Sequence, residues 1–384
     1  MSDIPEQPSW IGARPSNTQI FALMYCGVIG LLIPGLQPLL LGELAEEGRL
    51  SASQLGVVAT AELLAMGLTA GFAGSLFKAS RLKLIAIVAL AALAAIDVGT
   101  TFASGDALTL ARALAGAPSG VLVWITIAFI ARTPTPERWA GAYVTAQTLF
   151  QFAALAAASA WLAPSLGANG GFAALSGLCV ASIAAALLLP NALAPLPQAA
   201  TAGLPGARGW AALAASFLFL AVSGGVWVYV GQLSHQAHHP PAIASQAVSV
   251  SLALQVAGGM AATLLAGRIR WLWALVSCAL ADLAIFAGFA VFSAPLPFIA
   301  LTGALGFAWL FAIPFLVPMT IEADPTRRAA LLIGGAQLIG GSLGPLFASF
   351  FVTDADARGA LIFAAVCVTA AAAIVLGLHA TRPR

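Results

Sequence analysis

The sequence predicts an all-α integral membrane protein: twelve transmembrane helices arranged as two pseudo-symmetric six-helix bundles. Three observations predict it. Of 384 residues, 61% are hydrophobic and 8% are charged, where a soluble domain is roughly a quarter charged. Twelve apolar runs, each near the length of about 20 residues that crosses a bilayer, fill almost the whole chain and leave little room for a soluble domain. The runs fall six and six around a Pro-, Ala- and Gly-rich stretch, Pro190 to Gly209, which reads as a linker.

In order, the runs cover 18–41, 54–77, 82–104, 107–131, 140–162 and 172–189, then 210–232, 245–267, 271–292, 296–321, 329–352 and 360–380. The chain therefore divides into a tail (1–17), a bundle (18–189), the linker (190–209), a second bundle (210–380) and a short tail (381–384). The first run is too long for a signal-peptide core and lacks a strongly basic flank, so it reads as a span. Of the 16 Lys and Arg, thirteen fall in segments on the side of the termini, from Arg14 to Arg384. Arg49 and Arg358 lie on the other side and Arg112 inside a span, a positive-inside bias that places both termini in the cytoplasm, with the inner membrane as the setting. Trp139, Trp161, Trp210, Trp271 and Trp273 fall at span ends, as an interfacial belt requires. Weak echoes support a duplication: Ser53-Gln54 with Ser245-Gln246, Ala146-Gln147 with Ala336-Gln337, and Asp97 with Asp282.

Four ionisable residues lie well inside spans: Glu62, Asp97, Arg112 and Asp282. A guanidinium in hydrocarbon costs at least about 2.5–3.5 kcal/mol, so Arg112 requires a carboxylate, a watery cavity or a protein interior. Counting at about 1.5 Å per residue puts Glu62, Asp97 and Arg112 at one depth in three successive helices. Two readings stay open: a structural ion pair of Asp97 with Arg112, and a proton-coupling site in which Glu62 joins them. Asp282 has no cationic partner in its own half nearer than Arg268 and Arg270. It reads as a neutral packed acid or a second protonation site.

The stretch Arg112-Ala-Leu-Ala-Gly116 and the loop Gly74-Ser-Leu76-Phe-Lys78-Ala-Ser-Arg81-Leu-Lys83 carry a resemblance to the major facilitator superfamily. The first matches the family's fourth-helix arginine-to-glycine pattern. The second is a degenerate copy of its basic loop between helices two and three, with Lys78 where an aspartate is usual. A glycine-proline pattern, Gly340-Gly341-Ser-Leu-Gly344-Pro345, stands in the eleventh run rather than the fifth. The resemblance covers essentially the whole chain and implies alternating access. It also implies a role for Gly74, Lys78, Arg81 and Lys83 in inner gating, for Arg112 in proton coupling, and a central path lined by helices one, two, four, five, seven, eight, ten and eleven.

Those helices offer Tyr25, Gln37, Trp124, Gln147, Gln151, Trp227, Tyr229, Gln255, Trp309 and Gln337 as a substrate cavity of amides and aromatics without a fixed charge. Pro34 and Pro38, Pro314 and Pro318, and Pro345 mark expected bends. Gly67 with Gly71, and Gly340 with Gly344, have the spacing of close helix packing.

Nothing points to an enzyme: no phosphate-binding loop, metalloprotease His-Glu motif or nucleophile-base pairing is present. Cys26, Cys179, Cys278 and Cys367 sit in separate spans and read as packing residues. His235, His238 and His239 lack an acidic or thiol companion and read as a solvated loop, as does the acidic patch Glu43, Glu46, Glu47. No metal, cofactor or nucleic acid is expected. The expected partners are a small organic substrate, protons and the lipid bilayer, with the chain a monomer. The leading expectation is a proton-coupled exporter of a small hydrophobic compound. Its rivals are a proton symporter importing an organic or aromatic acid with Arg112 as carboxylate clamp, and a non-transporting membrane sensor.

Overall fold

The structure, a computed structural model, describes residues 9–50, 52–158, 163–196, 203–352 and 356–382. Among them the chain forms fourteen α-helices: α1 (Asn17–Gly30), α2 (Ile33–Glu46), α3 (Ala52–Leu76), α4 (Leu82–Thr100), α5 (Gly105–Ile130), α6 (Pro136–Ala157), α7 (Ala163–Ala186), α8 (Ala207–Trp227), α9 (Val230–Gln236), α10 (Pro241–Leu265), α11 (Trp271–Val291), α12 (Pro295–Ala323), α13 (Arg328–Ser349) and α14 (Gly359–Ala380). Trp161, Arg384 and linker residues 197–202 lie outside the described residues.

Among the described residues, eleven segments are long and apolar enough to cross a membrane. The fifth expected span, α6, has 22 residues but falls outside that set, because Thr145, Gln147, Thr148 and Gln151 dilute its apolar character. It packs among α1, α2, α10 and α12, with Thr145 against Gly259 and Gln151 donating to Leu31 O. Lipid-side faces carry large bare apolar residues such as Phe72, Val88, Leu110, Leu280 and Val366, as expected for helices solvated by hydrocarbon.

The first expected span is two helices. Ser16 opens α1 with a capping box: Gln19 N–H donates to its Oγ, and the Gln19 side chain accepts from its N–H. The helix ends before Pro34, whose missing N–H cannot continue the ladder. Gly35 N–H turns to Leu32 O, and the freed Leu31 carbonyl accepts from Gln151 Nε2 on α6. Gln151→Leu leaves that half-buried carbonyl without its partner and is expected to cost about 1 kcal/mol, read as a lower melting temperature in detergent. The seventh span is also broken, into α8 and α9. By contrast α12 runs through Pro314 and Pro318, and α13 through Pro345, as single helices.

The sixth span begins earlier than its hydropathy indicates, at Ala163, with a kink at Gly167 (φ 57°). Glu47 closes that kink by accepting from Ala168 N–H at 2.9 Å. Arg49 pairs with Glu47 at 3.3 Å and donates to Thr100 O and Ala103 O, which ties the end of α4 to the same corner. This acidic patch is thus partly a structural staple. His239 likewise is buried, with Nε2 2.7 Å from Ser293 O and its ring against Phe298. Trp271 is 7% exposed and donates to Glu322 Oε2 at 3.0 Å, so unlike Trp210 and Trp273 it is no part of an exposed belt.

Glycines set the closest helix contacts. Gly116 and Gly120 on α5 seat against the backbone of α3 at Glu62, Met66 and Ala70; Gly303 and Gly306 on α12 seat against Val250, Ser251 and Leu254 on α10. Gly340 and Gly344 meet Phe217 and Ala221 on α8, while Gly67 and Gly71 meet α13 at Ile339 and Gly335. Helices α1 to α7 meet helices α8 to α14 through α3 with α13 and through α6 with α10, where Gly141 and Gly259 face Thr263 and Thr145. Arg327 donates to Ala131 O at the C-terminus of α5, a favourable place for a cation.

Candidate functional site

Glu62, Asp97 and Arg112 meet inside the first set of helices. Arg112 and Gly116 lie one turn apart on α5, so both face α3. Because Gly116 has no side chain, the α5 backbone approaches Glu62 closely: a Cβ there would lie 2.2 Å from Glu62 O and 2.9 Å from Met66 N. That approach brings the guanidinium to the Glu62 carboxylate. Arg112 Nη2 pairs with Glu62 Oε1, and Nε donates to Oε2 at 3.3 Å. Nη1 donates to Asp97 Oδ1 at 2.7 Å and to Thr100 Oγ1 at 3.4 Å on α4. Gln37 Nε2 on α2 donates to Glu62 Oε2 at 3.2 Å, and the Phe172 ring of α7 lies 4.9 Å from the guanidinium carbon.

Glu62, Asp97 and Arg112 are 1%, 2% and 1% exposed. Side chains from five helices therefore enclose one cation and two carboxylates, an excess of one negative charge when both acids are ionised. Beside Asp97 and Arg112 lies a cavity of about 20 Å³ lined also by Ser119 and Cys179, room for about one water. Gly116→Ala sets a methyl against backbone atoms that cannot rotate away. It is expected to cost about 1–3 kcal/mol by overpacking and to weaken the Arg112–Glu62 contact, both read by comparing melting and transport with wild type.

The chain aligns over nearly its full length with solved transporter structures. One is a major facilitator superfamily transporter, FucP, in the outward conformation: TM-score 0.76, 14% identity, 94% of this chain and 98% of that one. Another is the E. coli fucose:proton symporter FucP, with TM-score 0.76, 14% identity and coverage of 95% and 99%. A third is the human organic anion transporter MFSD10 (TETRAN): TM-score 0.69, 17% identity, 95% of this chain and 99% of that one. The chain has the major facilitator fold. No family model matches the sequence, and no curated protein matches it either.

On the major facilitator fold, the other singled-out residues take distinct places. Asp282 on α11 is 4% exposed, and its Oδ1 has no hydrogen-bond partner among the described residues. It stands apart from the Arg112 set, in the other half of the chain. Gln37 and Gln151 serve protein groups, Glu62 and Leu31 O. The Tyr25 hydroxyl is 3.1 Å from Ser182 Oγ on α7, with its ring stacked on Phe21. Gln147 and Tyr229 are half-buried.

Trp227 and Trp309 meet edge to face at 6.2 Å, with Gln255 beside Gly306 one turn from Trp309. The donors Trp124 Nε1, Gln255 Nε2, Trp309 Nε1 and Gln337 Nε2 have no acceptor among the described residues. Gly74 faces the Trp124 indole, where a Cβ would lie 3.1 Å from Nε1. Lys78 and Arg81 are exposed, Lys83 is half-buried, and Arg81 adopts a left-handed φ of 59°. Their loop is held by Leu82 N–H to Asn191 O and Leu193 N–H to Ala79 O, both 2.9 Å, within its own half of the chain.

Thr100 and Phe172 escaped the sequence reading. Thr100 lies three residues after Asp97 and so shares its helix face, a usable signal. Nothing in the sequence distinguishes Phe172 from the other phenylalanines.

Proposed function

We propose that the protein is a proton-coupled secondary transporter that works by alternating access and exports a small hydrophobic organic compound. The observation that carries this reading is the buried set of Glu62, Asp97 and Arg112. Two carboxylates against one guanidinium leave one negative charge in a place where charge is costly, and one proton neutralises it. Binding and loss of that proton change the relative energies of two arrangements of the helices, which is what coupling requires. Small-residue contacts of α3 with α13 and of α6 with α10 suit halves that close and part, because they seal without deep interdigitation. Arg327 at Ala131 O would release when that end opens.

The likeness to a fucose:proton symporter and to an organic anion transporter supports secondary transport in general. The pairing of every nitrogen of the Arg112 guanidinium with Glu62, Asp97 or Thr100 favours this reading over an importer that uses Arg112 as clamp for the carboxylate of an organic or aromatic acid. The unpartnered donors of Trp124, Gln255, Trp309 and Gln337 offer hydrogen bonds without charge, which suits an uncharged compound. In this reading the chain acts as a monomer in the inner membrane with both termini cytoplasmic, needs no cofactor and performs no covalent chemistry.

The test uses protein reconstituted in liposomes with an imposed pH gradient and an uncharged aromatic fluorophore as probe. Gradient-dependent movement that collapses with a protonophore is the expected result. Flux indifferent to the gradient ends the proton-coupled reading, and no flux of any probe class favours the sensor.

A further inference from the structure

A second site lies at the end of the molecule where residues 190–194 lie. Here the stretch before α1, the end of α5 and the chain leaving α7 enclose a cavity of about 190 Å³, lined by Trp10, Arg14, Phe129, Arg132, Leu193 and Ala194 among others. Arg132 is 6% exposed, and its acceptors are neutral: Nε donates to Ala194 O at 2.7 Å and Nη1 to Ala128 O at 2.6 Å. Arg14 donates to Asn17 Oδ1 at 3.1 Å, also neutral. No carboxylate pairs with Arg14, Arg132 or Arg327 among the described residues.

Burial, and after it the neighbouring Arg327, pushes the Arg132 guanidinium down to about 10, a strain that an anion in the cavity would relieve. A buried cation without an anion is costly, and a bound anion offsets that cost. Arg132 commits Nε and Nη1 to the Ala194 and Ala128 carbonyls, so its Nη2 and the Arg14 guanidinium remain for the cavity; donors from two cations favour an oxyanion, whose several oxygens accept from both. The aromatic wall of Trp10 and Phe129, 6.1 Å apart, shields the site on one side.

We propose that this cavity binds a phosphate group. Its two sources are free inorganic phosphate and the headgroup of an anionic phospholipid in the facing leaflet. The site is separate from the Glu62 set, so its test reads binding and not transport.

The experiment follows thermal unfolding of the full chain in a neutral detergent. One arm adds inorganic phosphate against chloride at equal ionic strength; the other adds phosphatidylglycerol against diacylglycerol, which shares its tails but lacks phosphate. A rise in melting temperature with phosphate or phosphatidylglycerol supports the site. A rise in both arms assigns free phosphate as a ligand, and a rise with phosphatidylglycerol alone assigns the headgroup. Arg14→Gln, at an exposed position, is expected to weaken binding about tenfold. Ala13→Glu, which sets a carboxylate at the cavity rim, is expected to abolish it. No rise in either arm, or a rise unchanged in both variants, overturns the proposal.

Discussion

Arg112→Ala is expected to destabilise the protein by about 3–5 kcal/mol, because it leaves two carboxylates buried without their cation. Glu62 and Asp97 are 1% and 2% exposed, so water does not replace the guanidinium without rearrangement of five packed helices. Denaturation in detergent measures the loss. Charge, and not merely volume, is the cause in this account. Adding Glu62→Gln and Asp97→Asn to Arg112→Ala is therefore expected to recover much of the stability, a non-additivity that groups in one network show. A triple variant no more stable than Arg112→Ala alone would point to packing instead.

Glu62→Gln is expected to preserve the fold and abolish coupling. Glutamine keeps the shape, Arg112 retains Asp97 at 2.7 Å, and the set becomes neutral without a proton. One pH unit is worth about 1.4 kcal/mol, or about tenfold in accumulation. That whole factor is expected to vanish in Glu62→Gln liposomes, while flux down the substrate's own gradient persists and no longer depends on pH. Accumulation equal to wild type would remove Glu62 from the mechanism.

The helical architecture was legible because hydrocarbon imposes length and apolarity on each span. The depth of Arg112, read by counting residues, correctly put it level with Glu62 and Asp97, since helical rise is constant. Polarity makes Gln37 and Gln151 candidates for the cavity. The protein groups they satisfy, Glu62 and the Leu31 carbonyl, are brought close only by tertiary packing and leave no mark in the sequence. Pro34 marked the interruption of the first span but not the residue that caps it, more than a hundred positions away. Hydropathy placed the start of α7 too late, because the kink at Gly167 depends on Glu47 from a distant corner. Neutral partners of Arg132 were likewise invisible: they are backbone carbonyls, which no sequence pattern marks.

The most direct test of the central claim is infrared difference spectroscopy of the purified protein across a pH jump, compared with Glu62→Gln and Asp97→Asn. It watches the carbonyl stretch of a protonated carboxyl group and needs no knowledge of the substrate. A buried protonated-carboxyl band that titrates in wild type and is missing from Glu62→Gln is the predicted result. A band that survives in both variants, or no titrating band at all, would contradict proton exchange at the Glu62–Arg112–Asp97 set.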